Sequence, residues 1–193
     1  MALTDDALRA PSAGNSQGVA VLVLEDDAHR TAYWMASTDA AWREQSKRYQ
    51  AMSRAPVIVL VLCSPSMYVN RYAAPDKASS GLGESDEVWP VPYWHGDAAF
   101  ATMALLLGAA SEELGAAFLG TFRNEENILK AFEVPDTWRL FGTVLLGHPD
   151  GDDHPSASLQ RTRSRADRVH LGTFHDRPRT SEVDEGNEAG FGD

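Results

Sequence analysis

Val57-Ile58-Val59-Leu60-Val61-Leu62-Cys63 decides how the rest of the chain is read. Seven consecutive apolar residues follow Ala55-Pro56 and stop before Ser64-Pro65, and four of them are β-branched. The run is too short for a buried helix and shows no polar alternation, which predicts a strand buried on both faces, at the centre of a sheet. Upstream, Val19-Ala20-Val21-Leu22-Val23-Leu24 predicts a second strand, with Asn15 and Gly18 punctuating the approach to it. Downstream, residues 116–120 and 140–146 predict two more, the last ending at the turn Gly147-His148-Pro149. Residues 38–54 have helical composition and end ahead of Pro56. Asp97 is placed to cap a helix that runs to about Leu114 and closes at Gly115. Residues 98–107 of that helix are apolar on nearly every face, so it must be covered all round, in part by a second subunit. Asn124 is expected to cap a short helix through Phe132. Residues 64–92, with Pro65, Pro75, Pro90 and Pro92 among them, read as a long irregular connection. Strands alternating with helices indicate an α/β-type or α+β sheet domain.

With 193 residues the chain is long enough for one domain with a core of its own. Its single cysteine, Cys63, rules out an intrachain disulfide and suits a reducing compartment. The acidic start Met1-Ala2-Leu3-Thr4-Asp5-Asp6 lacks the basic and apolar blocks of a signal peptide, and no apolar stretch is long enough to span a bilayer. The expectation is a soluble, cytoplasmic protein without a membrane partner. A net charge of −11 argues against nucleic acid as a partner. Glu182, Asp184, Glu185, Glu188 and Asp193, spaced by glycines, carry part of that charge. The organisation expected is therefore a domain over residues 1–178 and an acidic disordered tail over 179–193.

Four groups of residues are candidates for chemistry. Ala10-Pro11-Ser12-Ala13-Gly14-Asn15-Ser16-Gln17 offers backbone N–H groups, hydroxyls and amides that suit a polar ring edge or a polyol chain, and it also reads as an ordinary helix-to-strand turn. In Leu119-Gly120-Thr121-Phe122 a strand end opens into a helix, and Gly120 lets a planar ligand approach the backbone. Arg161, Arg163 and Arg165 alternate, so in extended chain their guanidinium groups share one face and fit a phosphate; a solvated face or ion pairs with the tail are the other reading. Trp89, Tyr93 and Trp94 supply a wall for a planar substrate, or else fill a core or a subunit interface. No paired-cysteine or HExxH spacing exists, so no metal site is expected.

Taken in order, these pieces resemble the nitroreductase family of FMN-dependent enzymes over residues 7–174. The residues 10–17 loop is similar to the family's APSAGN-Q motif, and Arg54-Ala55-Pro56 with the strand after it resembles the second signature. The helix from Asp97, Leu114-Gly115, Leu119-Gly120-Thr121-Phe122, Leu146-Gly147-His148-Pro149 and the Arg163–Arg165 pair follow in the family's order. The resemblance implies an α+β, three-layer fold with a central mixed sheet flanked by helices, and a homodimer with two FMN sites at its interface. It further implies that Ser12, Ala13 and Asn15 reach the partner's FMN, that Gly120 and Thr121 approach the flavin ring, and that Arg163 and Arg165 bind its phosphate. Trp89, Tyr93 and Trp94 would face a small-molecule substrate. The activity implied is hydride transfer from NAD(P)H through flavin N5 to a nitroaromatic, quinone or enone. The family usually begins with an RRS-x-R-like segment, which the start of this sequence lacks, so a shortened N-terminus is expected. The alternatives are a flavin-free binding or scaffolding subunit and a flavin oxidase or dehydrogenase of a specialised metabolite.

Overall fold

The structure, a computed structural model, describes residues 2–121, 123–149, 151, 168–170 and 172–174. The chain divides into two compact units, Met1–Gly151 and Asp152–Asp193. In the second, the rings of His170 and Phe174 lie 4.1 Å apart. The expected tail and the arginines at 161, 163 and 165 fall outside the described residues.

The first unit contains α1 (Ala2–Ala7), β1 (Val19–Leu24), α2 (Asp27–Ser37), α3 (Ala40–Gln45), α4 (Lys47–Met52), β2 (Val57–Cys63), α5 (Pro65–Tyr72), α6 (Tyr93–Ser111), β3 (Gly115–Leu119), α7 (Glu125–Ala131) and β4 (Arg139–Gly147). The class is α+β. The strand order is β1-β2-β4-β3, which puts β2 in the interior of the sheet as its composition requires. All three pairings are antiparallel, so among the described residues the sheet is not the mixed one expected. The reason lies in the connections: residues 25–56 return the chain to the end where β1 stopped, and residues 120–138 do the same between β3 and β4.

Alternation along β2 builds two cores. Val59, Val61 and Cys63 face one side, with Trp94, Ala98 and Leu105 of α6 and Val144 and Leu146 of β4. Ile58, Leu60 and Leu62 face the other, with Tyr33 and Trp34 of α2 and Ile128 of α7. Helices therefore cover both faces, the three-layer arrangement expected. Between Val61 and Leu62 the register against β4 shifts from Gly142 to Leu140, a bulge that leaves Phe141 as the extra residue.

Several local expectations are corrected. The helix over 38–54 is two short helices, broken at Ser46, whose backbone is extended and whose Oγ accepts from Tyr49 N–H at 3.1 Å. The 64–92 connection contains α5, started by Pro65 at a position where its missing N–H costs nothing. α6 begins at Tyr93, so Asp97 lies inside the helix and does not cap it. Asn124 does precede α7, but with φ 60° and its Nδ2 donating to Ser37 O at 3.1 Å rather than closing the helix end. α6 leaves Phe100, Met103 and Leu107 exposed by 55%, 51% and 59% on successive turns, and Ala116, Ala117 and Phe118 of β3 are exposed beside it. No described helix is long and apolar enough to cross a membrane.

Candidate functional site

One end of the sheet collects the groups singled out in the sequence. β1 begins there at Val19 opposite Cys63, where β2 ends; β4 begins opposite Cys63 at Arg139, and β3 stops at Leu119 opposite Thr143. The residues 10–17 loop leads into β1, and Gly120-Thr121 leaves β3. These are the two edges of the sheet, with β2 and β4 between them, so three interstrand spacings of about 4.8 Å separate them by roughly 14 Å.

The loop is a short 3-10 turn, Ala13–Asn15, in which Gly14 (φ 61°), Asn15 (φ 55°) and Gln17 (φ 51°) all adopt left-handed backbone. It was expected to present unused backbone N–H groups, and most are instead taken within the chain. Ala13 N–H donates to Asp97 Oδ2 at 2.8 Å, Asn15 N–H to Ser12 O at 2.9 Å, Ser16 N–H to Ala13 O at 3.1 Å and Gln17 N–H to Ser12 Oγ at 3.0 Å. With those N–H groups taken, side chains are what the loop offers to a ligand. Asn15 and Gln17 are exposed and joined to each other, Gln17 Nε2 to Asn15 Oδ1 at 3.2 Å, and Ser12 is half-buried.

Two helices hold the loop from behind. From α5, Arg71 Nε donates to Gly14 O at 2.8 Å, and its two terminal nitrogens are fixed by Asp76 at 2.8 and 2.7 Å. The Asp76 carboxylate raises the Arg71 pKa, and the guanidinium in turn lowers that of Asp76. From α6 comes Asp97, 3% exposed, whose Oδ2 also accepts from Tyr68 O–H at 2.6 Å. Burial first, and then that bond to the carboxylate, pushes the Tyr68 pKa up, so the phenol stays a donor. In front of the loop is a cavity of about 470 Å³ lined by Arg9, Ser12, Asn15, Gln17, Asp97 and apolar residues of α1, β1 and α6. Its volume is within the range of small-molecule sites.

At the other edge, Gly120 is exposed and Thr121 half-buried. Phe118 lies 5.8 Å from Phe141, which lies 6.3 Å from His95, a row of rings that the bulge makes possible by turning Phe141 toward α6. His95 Nδ1 approaches Cys63 Sγ at 3.7 Å. Burial pushes the Cys63 thiol up to about 12 and the His95 pKa down, so this pair is a neutral thiol beside a neutral imidazole and not an activated nucleophile.

The three aromatics of the expected wall part company. Trp89 and Trp94 are buried with Tyr68 in edge-to-face contacts at 5.8–6.0 Å, and Trp89 Nε1 donates to Leu82 O at 2.9 Å. Tyr93 alone is exposed, by 46%. Sequence reasoning missed Tyr68, Arg71 and the true place of Asp97. The signal for Asp97 was present: one carboxylate in an otherwise apolar helix must find partners if it is buried.

Comparison with known proteins agrees with the family resemblance over the first 148 residues. The profile of the Nitroreductase family matches residues 1–148. No protein of curated function matches the chain. Among solved structures, a nitroreductase family protein from Clostridium novyi NT is 24% identical, over 80% of this chain and 74% of that one, with a TM-score of 0.58. A Desulfovibrio desulfuricans protein, assigned as a nitroreductase and solved in complex with FMN, is 20% identical over 90% and 83%, with a TM-score of 0.61. Nitroreductase CinD from Lactococcus lactis, in complex with nicotinic acid, is 18% identical over 84% and 85%, with a TM-score of 0.62.

Proposed function

The chain belongs to the nitroreductase family, and from that premise we propose that it is an FMN-dependent oxidoreductase, active as a homodimer, that uses NAD(P)H to reduce a small organic acceptor of the nitroaromatic, quinone or enone type. The observation that carries this reading is the division of the site. The Ser12–Asn15 loop and Gly120-Thr121 share one end of the sheet but sit on opposite edges, and α6 and β3 leave an apolar surface exposed. A second copy packed on that surface supplies the missing half of each site.

The residues present fit the flavin. The cavity beside the loop combines neutral hydrogen-bonding groups (Ser12, Asn15, Gln17), one cation (Arg9) and one carboxylate (Asp97), a set matched to a heterocycle edge and a polyol chain rather than to a second anion. When bound, FMN supplies the two-electron exchange between a reduced nicotinamide and the acceptor. Ser12, Ala13 and Asn15 would hold the partner's flavin, with Ala13 contributing through its place in the turn because its N–H is already used. Gly120 and Thr121 would lie against the flavin of their own subunit, where the missing Cβ of Gly120 admits a flat ring. Arg163 and Arg165 would bind the phosphate. Of the three aromatics, Tyr93 is the one a substrate reaches, while Trp89 and Trp94 shape the wall from within. The apolar α6 and β3 surfaces exclude water from the space between subunits.

Titration of the purified protein with FMN, followed by flavin fluorescence and the visible spectrum with NAD(P)H oxidation measured alongside, tests the proposal. Stoichiometric binding with oxidation of NAD(P)H supports it. A folded dimer that binds no FMN at saturation refutes it in favour of a flavin-free role.

A further inference from the structure

Asp97 is a charge in the wrong place for a helix of this composition. Every neighbour on its side of α6 is apolar or small, and the residue is 3% exposed, yet its carboxylate is not paired with a cation in the described chain. It is instead held by two neutral donors: the Tyr68 hydroxyl from α5, itself fully buried, and the Ala13 N–H at the start of the 3-10 turn. A buried carboxylate persists where charge-assisted hydrogen bonds replace water. Here one of the two goes to the backbone of the loop that lines the cavity, and Asp97 lines the same cavity. Arg71 fixes the carbonyl side of that turn through Gly14 O, so Asp97 fixes its N–H side.

We propose that Asp97 is a positioning residue for the ligand-facing loop: its carboxylate, oriented by Tyr68, holds Ala13 so that the turn after Ser12 keeps the shape in which the side chains of Ser12 and Asn15 face the flavin. The proposal rests on the flavin reading above. It assigns to Asp97 no contact with the reacting atoms. The geometry requires an acceptor at this site with two donors converging on one oxygen. An asparagine of the same shape keeps an acceptor but loses the charge, and Tyr68→Phe keeps the carboxylate but removes the group that orients it.

The test compares wild type, Asp97→Asn and Tyr68→Phe. Amide hydrogen exchange of the ligand-free protein is the first readout. Asp97→Asn is expected to speed exchange at Ala13 by about tenfold or more, the difference between a charge-assisted and a neutral bond, while the amides of Val59 and Val61 in β2 keep their protection. A merely structural role would speed Ala13 and β2 together through loss of global stability, and that result overturns the proposal. The second readout is affinity for FMN and for riboflavin. Both should weaken by the same factor, about tenfold, because the loop meets the ring and ribityl part and not the phosphate. Tyr68→Phe should move both readouts in the same direction by less. Unchanged affinity in a variant with faster Ala13 exchange, or unchanged exchange, overturns the proposal. Failure of wild type itself to bind flavin is a failure of the functional reading, and is recognised before any variant is made.

Discussion

Leu107 tests the assembly on which the divided site depends. It is 59% exposed on the stripe that includes Phe100 and Met103, so in the isolated protomer it supports little of the fold, and Leu107→Glu should leave each chain folded, glutamate being a good helix former. Full burial of a leucine contributes about 1.5–3 kcal/mol, so covering the exposed 59% contributes about 0.9–1.8 kcal/mol. In a two-fold interface the residue occurs twice, giving about 2–3.5 kcal/mol per dimer. At about 1.4 kcal/mol per decade, removing it raises the dimer dissociation constant about 20- to 300-fold, before the cost of setting two carboxylates in an apolar contact. Analytical ultracentrifugation over a concentration series reads this directly, with circular dichroism to show that the variant remains folded. Identical association of variant and wild type, or a wild type that is monomeric throughout, would refute the reasoning. FMN affinity should fall with the dimer.

Arg163→Ala should weaken FMN binding by about ten- to a hundredfold, from the loss of one charge-assisted bond of about 1.5–3 kcal/mol, and leave riboflavin binding unchanged; equal losses for both ligands count against a phosphate role. Stability should fall in alkali. Burial raises Cys63 from 9.0 to about 12, so the stabilisation of its thiol form is complete below pH 9 and is lost as pH rises toward 12, at up to about 1.4 kcal/mol per pH unit. Tyr33 and Tyr68, also raised by burial, add a loss of the same sign above pH 10. Urea midpoints between pH 8 and 11 should therefore decline, and Cys63→Ala should flatten the stretch from 9 to 10; a midpoint that holds or rises contradicts this. Finally, Cys63 in the folded protein should resist thiol reagents at pH 8 and react once urea exposes it, whereas rapid labelling of native protein would mean that the β2 end opens.

The strands were legible because their signal is local. Val19–Leu24 and Val57–Cys63 have the bounds read from composition, since an unbroken apolar run rich in β-branched residues and preceded by Pro or Gly leaves one reading. What was not legible depends on partners distant in sequence. Asp97 looked like a helix cap because caps are the usual use of an aspartate ahead of an apolar run. Its real partners lie 29 and 84 residues away. The 10–17 loop was recognisable as a site candidate, but its N–H groups looked unused: the Asp97 carboxylate that takes one of them is 84 residues away, and the turn that brings the others onto Ser12 and Ala13 is not written in composition. Trp89 and Trp94 read as wall or as core, and only the packing of α5 against α6 separates them from Tyr93.

The bulge at Phe141 bears on how the chain avoids folding out of step. β2 is apolar on both faces and most of β4 is too, so sliding one strand past the other by a residue would still bury grease against grease. Hydrophobicity cannot tell the right alignment from its neighbours. Two small residues can. A side chain at Gly142 would sit 2.4 Å from the Phe118 ring, and one at Gly147 would sit 2.7 Å from Pro56 Cδ. A slip in either direction brings Phe141 or Thr143 under Phe118, and Leu146 or His148 onto Pro56. The information that aligns the centre of this sheet is thus written as two absences of a methyl group, five residues apart from one another, in the strand where the pattern of large residues says least.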